Sequence, residues 1–351
     1  MPRLAESAAL TDEAAAYPAD AMRWLHEAGL CVAPLPLSSG GMGLNDGAQR
    51  LQLLHVLKHI GRGDLVVGRL YEGHVNALQL IFDFGSAAQQ DATAHATGAG
   101  IWLGVWNSQG EPGVRLRQAG ANGWALNGCK LYASGAGHID RAIVTAEWAD
   151  GGWQMVLTPA RGAHLQIDRS FWRPLGMRAS ASYQVRFDEL PVMPDAFVGS
   201  RNDYYREPAF SAGAVRFAAV QLGGAEAVLD ETRRFLRSIQ RTEDPYQRSR
   251  VGEMAMWVES GNLWLDGAAR HVGDVPYAHL MRTAVERIGL AVMQLAERCV
   301  GARGLLKPLP LERLHRDLTH YLRQPAPDAV LAAAGEHALA SDEPSFRLHG
   351  R

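Results

Sequence analysis

Gly100-Ile101-Trp102-Leu103-Gly104-Val105-Trp106-Asn107-Ser108 is the point at which this chain changes its period. Upstream, apolar residues recur at helical spacing. Met22 and Leu25 precede a Gly/Pro/Ser-rich loop at 34–43, and Leu54, Leu57 and Ile60 form a stripe behind the capping residues Asn45 and Asp46. Gly61 and Gly63 break that stripe before a helix over 65–84, which Gly85 ends. Downstream, 101–106, 114–118, 124–132, 142–147, 153–157 and 183–187 are short runs rich in Val, Ile, Tyr and Trp, the composition of strands. Asn122-Gly123 and Asp150-Gly151 supply the positive φ of tight hairpins, so the strands are predicted to form an antiparallel sheet or barrel. From about 207 the helical period returns over 210–239, 247–270 and 276–300, then from Leu311, with an Ala-rich last helix at 326–341. The order helices, strands, helices predicts an α+β chain in three parts: 1–98, 99–205 and 206–351.

The chain has 351 residues, 47% of them hydrophobic and 21% charged, with a formal net charge of -2. That is the profile of a globular protein with two or three cores. Without a basic excess or an Arg/Lys run, nucleic acid is not an expected partner. Neither a GxGxxG between strand and helix nor a GxxxxGK[ST] is present, which disfavours a nicotinamide or P-loop nucleotide site. Cys31, Cys129 and Cys299 are odd in number and far apart, outside any metal spacing, and predict a reducing compartment and no metal. The acidic residues Asp12, Glu13, Asp20 and Glu27 do not fit a signal peptide, and no apolar run is long enough for a membrane helix. The expected location is the cytoplasm.

Three segments carry a family resemblance. Leu25-His26-Glu27-Ala28-Gly29-Leu30 leads into Gly40-Gly41-Met42-Gly43; Asn127-Gly128-Cys129-Lys130-Leu131-Tyr132-Ala133-Ser134-Gly135 lies on a predicted strand; Leu175-Gly176-Met177-Arg178-Ala179-Ser180 precedes Pro191-Val192-Met193-Pro194. In order and spacing they resemble the acyl-CoA dehydrogenase superfamily along nearly the whole chain. That resemblance implies an N-terminal helical domain, a middle antiparallel β domain and a C-terminal four-helix bundle. It also implies FAD rather than FMN, a homodimer or homotetramer joined through the C-terminal helices, and oxidation of a small-molecule substrate such as an acyl-CoA or carrier thioester. The isoalloxazine contacts would be Trp106, Asn107 and Ser108 on one strand and Tyr132, Ala133 and Ser134 on another, with Arg241 at the FAD diphosphate.

The sequence also departs from that family. Dehydrogenation of a thioester needs a carboxylate to remove the α-proton. The position of the family's glutamate falls on Pro325, and the alternative position, directly before Arg216, falls on Val215. The family's TEPxxGSD loop is replaced by Ser108-Gln109-Gly110-Glu111-Pro112-Gly113. A relocated base would have to be sought elsewhere, at Asp328 or Glu226. Meanwhile Asp244-Pro245-Tyr246-Gln247 and Val251-Gly252-Glu253 resemble the superfamily's flavin-dependent monooxygenase branch, which works through a flavin C4a-hydroperoxide. There the resemblance places His74, Asn107, Ser134 and Gln324 around the flavin edge. His138 and His320 read as structural or exposed, and Arg323 as a residue that could meet an anionic substrate. A third reading is a non-catalytic relative that binds or assembles without turnover.

Overall fold

The computed structural model describes residues 2–120, 123–345 and 349. Its first part is five helices: α1 (Pro2–Ala14), α2 (Ala19–Glu27), α3 (Arg50–Gly63), α4 (Leu65–Phe84) and α5 (Ala87–Gly98). α4 begins where the buried Asp64 side chain accepts from the N–H groups of Val66 at 2.8 Å and Val67 at 3.3 Å, a carboxylate cap on otherwise orphan donors. α1 has no apolar stripe to announce it; it buries only Leu4, Ala8 and Asp12, and Asp12 is anchored by Arg316 at 2.7 Å.

The middle part is one eight-stranded sheet in the order β6-β7-β3-β2-β4-β5-β8, with β1 (Leu103–Trp106) on β4 (Arg141–Glu147). β2 (Arg115–Ala119) and β3 (Gly123–Ala133) pair antiparallel, as do β3 with β7 (Tyr183–Val192) and β4 with β5 (Trp153–Pro159). Gly151 and Gly152, at φ 90° and 82°, turn the β4–β5 hairpin; Asn122 lies outside the described residues. The sheet is nonetheless mixed, because β1 runs parallel to β4, with Trp106 opposite Val144. β1 arrives from α5 and no hairpin joins it to β4, so turn signals could not set that pairing. β6 (Leu165–Asp168) and β8 (Phe197–Val198) are too short to show a period.

The last part is α6 (Ala209–Ser238), α7 (Pro245–Arg270), α8 (Val275–Gly304), α9 (Pro310–Tyr321) and α10 (Pro327–Ala340). α6 is the axis, packed between α8 and α3. Its contact with α3 is backbone to backbone: a Cβ on Gly223 would sit 2.0 Å from the Lys58 carbonyl oxygen, and one on Gly61 would sit 2.3 Å from that of Val220. Small residues there bring the first and last helical parts together, and the main core cluster runs through all three parts. Among the described residues no helix is long and apolar enough to cross a membrane, and no group of His, Cys, Asp and Glu could hold a metal.

Candidate functional site

The strand end at Asn107 is built from below by a polar cluster. Lys130, fully buried on β3, donates to the Asn107 main-chain oxygen at 2.8 Å and to the Thr145 hydroxyl at 2.9 Å. Thr145 donates in turn to Asn107 Oδ1 at 2.7 Å, and the Tyr205 hydroxyl reaches the same oxygen at 2.9 Å. With Oδ1 saturated, the amide orientation is fixed and Nδ2 is left without a partner among the described residues, a donor held ready for a ligand. Burial pushes the Lys130 ammonium down to about 7.

Ser134 lies across from this strand end. Its hydroxyl pairs with Ser182 at 2.9 Å, and Ser182 with Ser180 at 2.8 Å. Its carbonyl accepts from Trp106 Nε1 at 3.1 Å, so the Trp106 ring, 1% exposed, is a floor under the strands and not a wall beside a ligand. Ala133 is fully buried, while Ser108 is exposed. Tyr132 is different. Its backbone is in the left-handed region at φ 53°, which a bulky residue adopts only under constraint, and the residue is 54% exposed. Its ring lies edge-on to Phe171 at 5.4 Å and Trp172 at 6.3 Å, and Trp172 is edge-on to His320 of α9 at 5.3 Å. An exposed aromatic ring on one strand and a fixed amide donor on the neighbouring strand end, joined through Leu131 N and the Ser108 carbonyl at 3.0 Å, suit a flat heteroaromatic ring with polar edges, and flavin fits that description.

Other sequence candidates fall elsewhere. His74 is fully buried in α4. Its Nδ1 accepts from the Leu103 N–H at 3.1 Å and its Nε2 donates to the Cys31 carbonyl at 2.8 Å. Both ring nitrogens are thus spent on backbone, and burial lowers the imidazole to about 4. Gln324 donates to the Tyr321 carbonyl at 2.8 Å just beyond α9, and Arg323 is paired with Glu286 at 2.7 Å. Arg241 is exposed and ion-paired with Asp244, which also caps α7 through Tyr246 N and Gln247 N. His138 stacks on Tyr17 at 4.4 Å. Glu226 is paired with Lys58 at 2.9 Å, and Asp328 is exposed in the first turn of α10.

The segment that carries Tyr205 continues into a cavity of about 410 Å³ between α4, the start of α6 and the α7–α8 turn. Arg206, Glu207 and Pro208 line it, as do Gln79, Asp83 and Phe84 of α4, Arg50 of α3, and Val215. Beside it Arg216 is buried; its guanidinium binds the side-chain oxygens of Gln79 and, at 2.6 Å, Asn76, and its Nε has no partner among the described residues. Burial lowers Arg216 and Arg50 and raises Asp83. The sequence reading missed Tyr205, Thr145, Arg50 and Asp83, none of which sits in a motif. Lys130 did carry a signal, a cation in an apolar strand.

Residues 2–100 match the acyl-CoA dehydrogenase N-terminal domain and residues 204–321 its C-terminal domain. The chain belongs to the acyl-CoA dehydrogenase superfamily, a class of flavin-dependent oxidoreductases. It is 25% identical to the putative acyl-CoA dehydrogenase YdbM of Bacillus subtilis (strain 168), over 96% of this chain and 92% of the other. It is also 25% identical to the dibenzothiophene monooxygenase of Rhodococcus erythropolis, over 91% and 86%. The fold superposes on the FMN-bound TdsC of Paenibacillus sp. A11-2 with a TM-score of 0.83 at 19% identity, covering 99% and 98% of the two chains.

Proposed function

We propose that the chain is a flavin-dependent monooxygenase acting on a small molecule held in the cavity beside Tyr205. The observation that carries this reading is the chemistry at the base positions. Val215, which lines the cavity, and Pro325 cannot take a proton, and Glu226 and Asp328 are respectively ion-paired with Lys58 and exposed on α10. Without a base at any of these positions, what the flavin site offers is orientation and hydrogen bonding. The Asn107 amide and the Ser134 hydroxyl would meet the polar edge of the flavin, and Tyr132, Phe171 and Trp172 would flank its ring. Bound reduced flavin supplies the electrons that activate dioxygen.

FMN suits these residues better than the FAD expected from sequence. Arg241, the arginine expected at an FAD diphosphate, already has Asp244 as its counter-ion, and TdsC, of the same fold, is FMN-bound. The exposed apolar residues Met256, Leu263 and Leu290 of α7 and α8 support assembly as a homodimer or homotetramer. The chain divides as 1–98, 99–205 and 206–351.

A second reading, oxidation of an acyl-CoA or carrier thioester, has one feature in its favour: Asp83, a cavity carboxyl that burial holds above the ordinary carboxylate range. The two readings separate in one pair of experiments. The monooxygenase reading expects no anaerobic bleaching of bound flavin by acyl-CoA thioesters of any chain length. It also expects two resolved phases of reoxidation when the reduced-flavin complex meets oxygen in a stopped-flow instrument. Bleaching by a thioester, or a single phase, overturns it; release of FAD on denaturation overturns the choice of FMN.

A further inference from the structure

The cavity beside Tyr205 holds more charge than a pocket for a hydrocarbon chain would. Apart from Tyr277, its ionisable lining consists of Arg50, Asp83, Arg206, Glu207, His271 and Asp274. Most of these already have partners. Arg206 is paired with Asp203 at 2.6 Å. Glu207 accepts from the Ser211 hydroxyl at 2.8 Å and from its N–H at 3.1 Å. Asp274 caps α8 through Tyr277 N at 2.9 Å and has His271 at 4.0 Å and His349 at 3.3 Å. Asp83 takes a hydrogen bond from Gln79. Arg50 alone of these has neither an ion pair within 4 Å nor a hydrogen bond among the described residues; burial disfavours its charge, and Asp83 on the same wall offsets this only through space.

An unpaired, half-buried guanidinium on the wall of a cavity is an anion site in waiting, since its fork of N–H groups matches a carboxylate in two-point geometry. Methylenes pushed against Arg50, Asp83 and the Gln79 amide would desolvate them and return no hydrogen bonds. We propose that this cavity takes a compact substrate bearing a carboxylate, anchored by Arg50, rather than a long apolar acyl chain. Gln79 is already engaged by Arg216 and Asp83, so the anchor is Arg50 itself, and Phe84, Val215 and Pro208 supply the apolar remainder. The cavity volume of about 410 Å³ sets the size, near the lower end for small-molecule sites.

This inference rests on the reading that the cavity receives the substrate, but not on which flavin reaction follows. Its test is therefore binding without turnover. The full chain, with FMN and without it, is titrated calorimetrically with 3-phenylpropionate and with the matched alcohol 3-phenylpropan-1-ol. The carboxylate is expected to bind at least about tenfold more tightly, the scale of one charge-assisted contact. Arg50→Met should abolish the preference, and Arg50→Lys, which keeps a cation, should retain part of it. Equal binding of the pair, no binding of the carboxylate, or a preference that survives in Arg50→Met overturns the proposal. A stopped-flow result against monooxygenation leaves these outcomes unaffected.

Discussion

The Lys130 ammonium lies 2.8 Å from the main-chain oxygen of Asn107, fully buried and without a carboxylate to balance it among the described residues. Through Thr145 the same lysine also fixes the Asn107 side chain. A neutral residue of similar length packs in its place but cannot hold the strand end. Lys130→Met is therefore expected to weaken FMN binding about tenfold, the loss of roughly one net hydrogen bond to a charged group. Quenching of flavin fluorescence measures it. Stability gives an independent check. The folded lysine loses its proton above about 7 and the unfolded one above 10.5, so between those values the unfolded state binds more protons. Wild-type stability should thus rise, relative to Lys130→Met, as pH is raised through that window. Urea unfolding of both proteins at matched pH tests it; a constant difference would show that the lysine titrates normally.

His74 has the same sign logic at the acid end. Its imidazole titrates near 4 when folded and at 6.5 when free, so the unfolded state gains protons first as pH falls. Stability should decline from about 6.5 down through 4, and His74→Leu should remove that part of the decline. The variant also strands the Leu103 N–H and the Cys31 carbonyl, at about 1–3 kcal/mol for each buried group. Flavin affinity should change little, since both ring nitrogens are taken by backbone groups, the Leu103 N–H and the Cys31 carbonyl. A loss of FMN binding at full stability would instead return His74 to the site.

The helical parts, most of the strands and the superfamily were legible because each rests on local pattern: a 3.6 period, a strand composition, a Gly-containing motif. Asn107 and Ser134 lie in segments of the same kind. His74 shows the limit. A histidine on a helix reads the same whether its nitrogens face a ligand or a backbone, and only the packing of α4 against Cys31 and Leu103 decides. Tyr205 and Arg50 were illegible because what marks them is tertiary: a hydroxyl on Asn107 in one case, a guanidinium on a cavity wall without a hydrogen bond among the described residues in the other. The parallel pairing of β1 with β4 escaped because it joins strands far apart in sequence.

The outward face of the C-terminal helices should govern assembly. Met256 is 55% exposed and Leu263 60%, and nearby Trp257, Trp264, Leu280, Ile288 and Leu331 line an apolar groove between α7, α8 and α10. Such residues leave water most readily in an interface between copies. Sedimentation of the wild type is expected to show a dimer or tetramer, and Leu263→Glu with Met256→Glu should shift it toward monomer without loss of helix content. A monomeric wild type would refute this.

Gly176 should be the least replaceable residue where the sheet meets α9. A Cβ there would lie 2.0 Å from the Arg316 carbonyl oxygen, 2.2 Å from its carbon and 2.5 Å from Asp317 N, all backbone atoms that no rotamer change can move. Relief requires lifting the segment from α9. That breaks the 2.6 Å bond from Met177 N to Asp317 Oδ1 and separates Trp172 from His320. Gly176→Ala is accordingly expected to cost about 2–4 kcal/mol, the sum of overpacking and a lost buried hydrogen bond to a carboxylate. It should also weaken FMN binding, because Trp172 stands behind Tyr132. Gly335→Ala is the control: its Cβ would meet nothing within 4 Å, and alanine in α10 should leave stability equal or up to about 1 kcal/mol higher. Thermal melts of the two variants, read beside flavin titrations, separate a defect at the junction from a general intolerance of added methyls; comparable losses in both would show that the close contact at α9 is not what constrains Gly176.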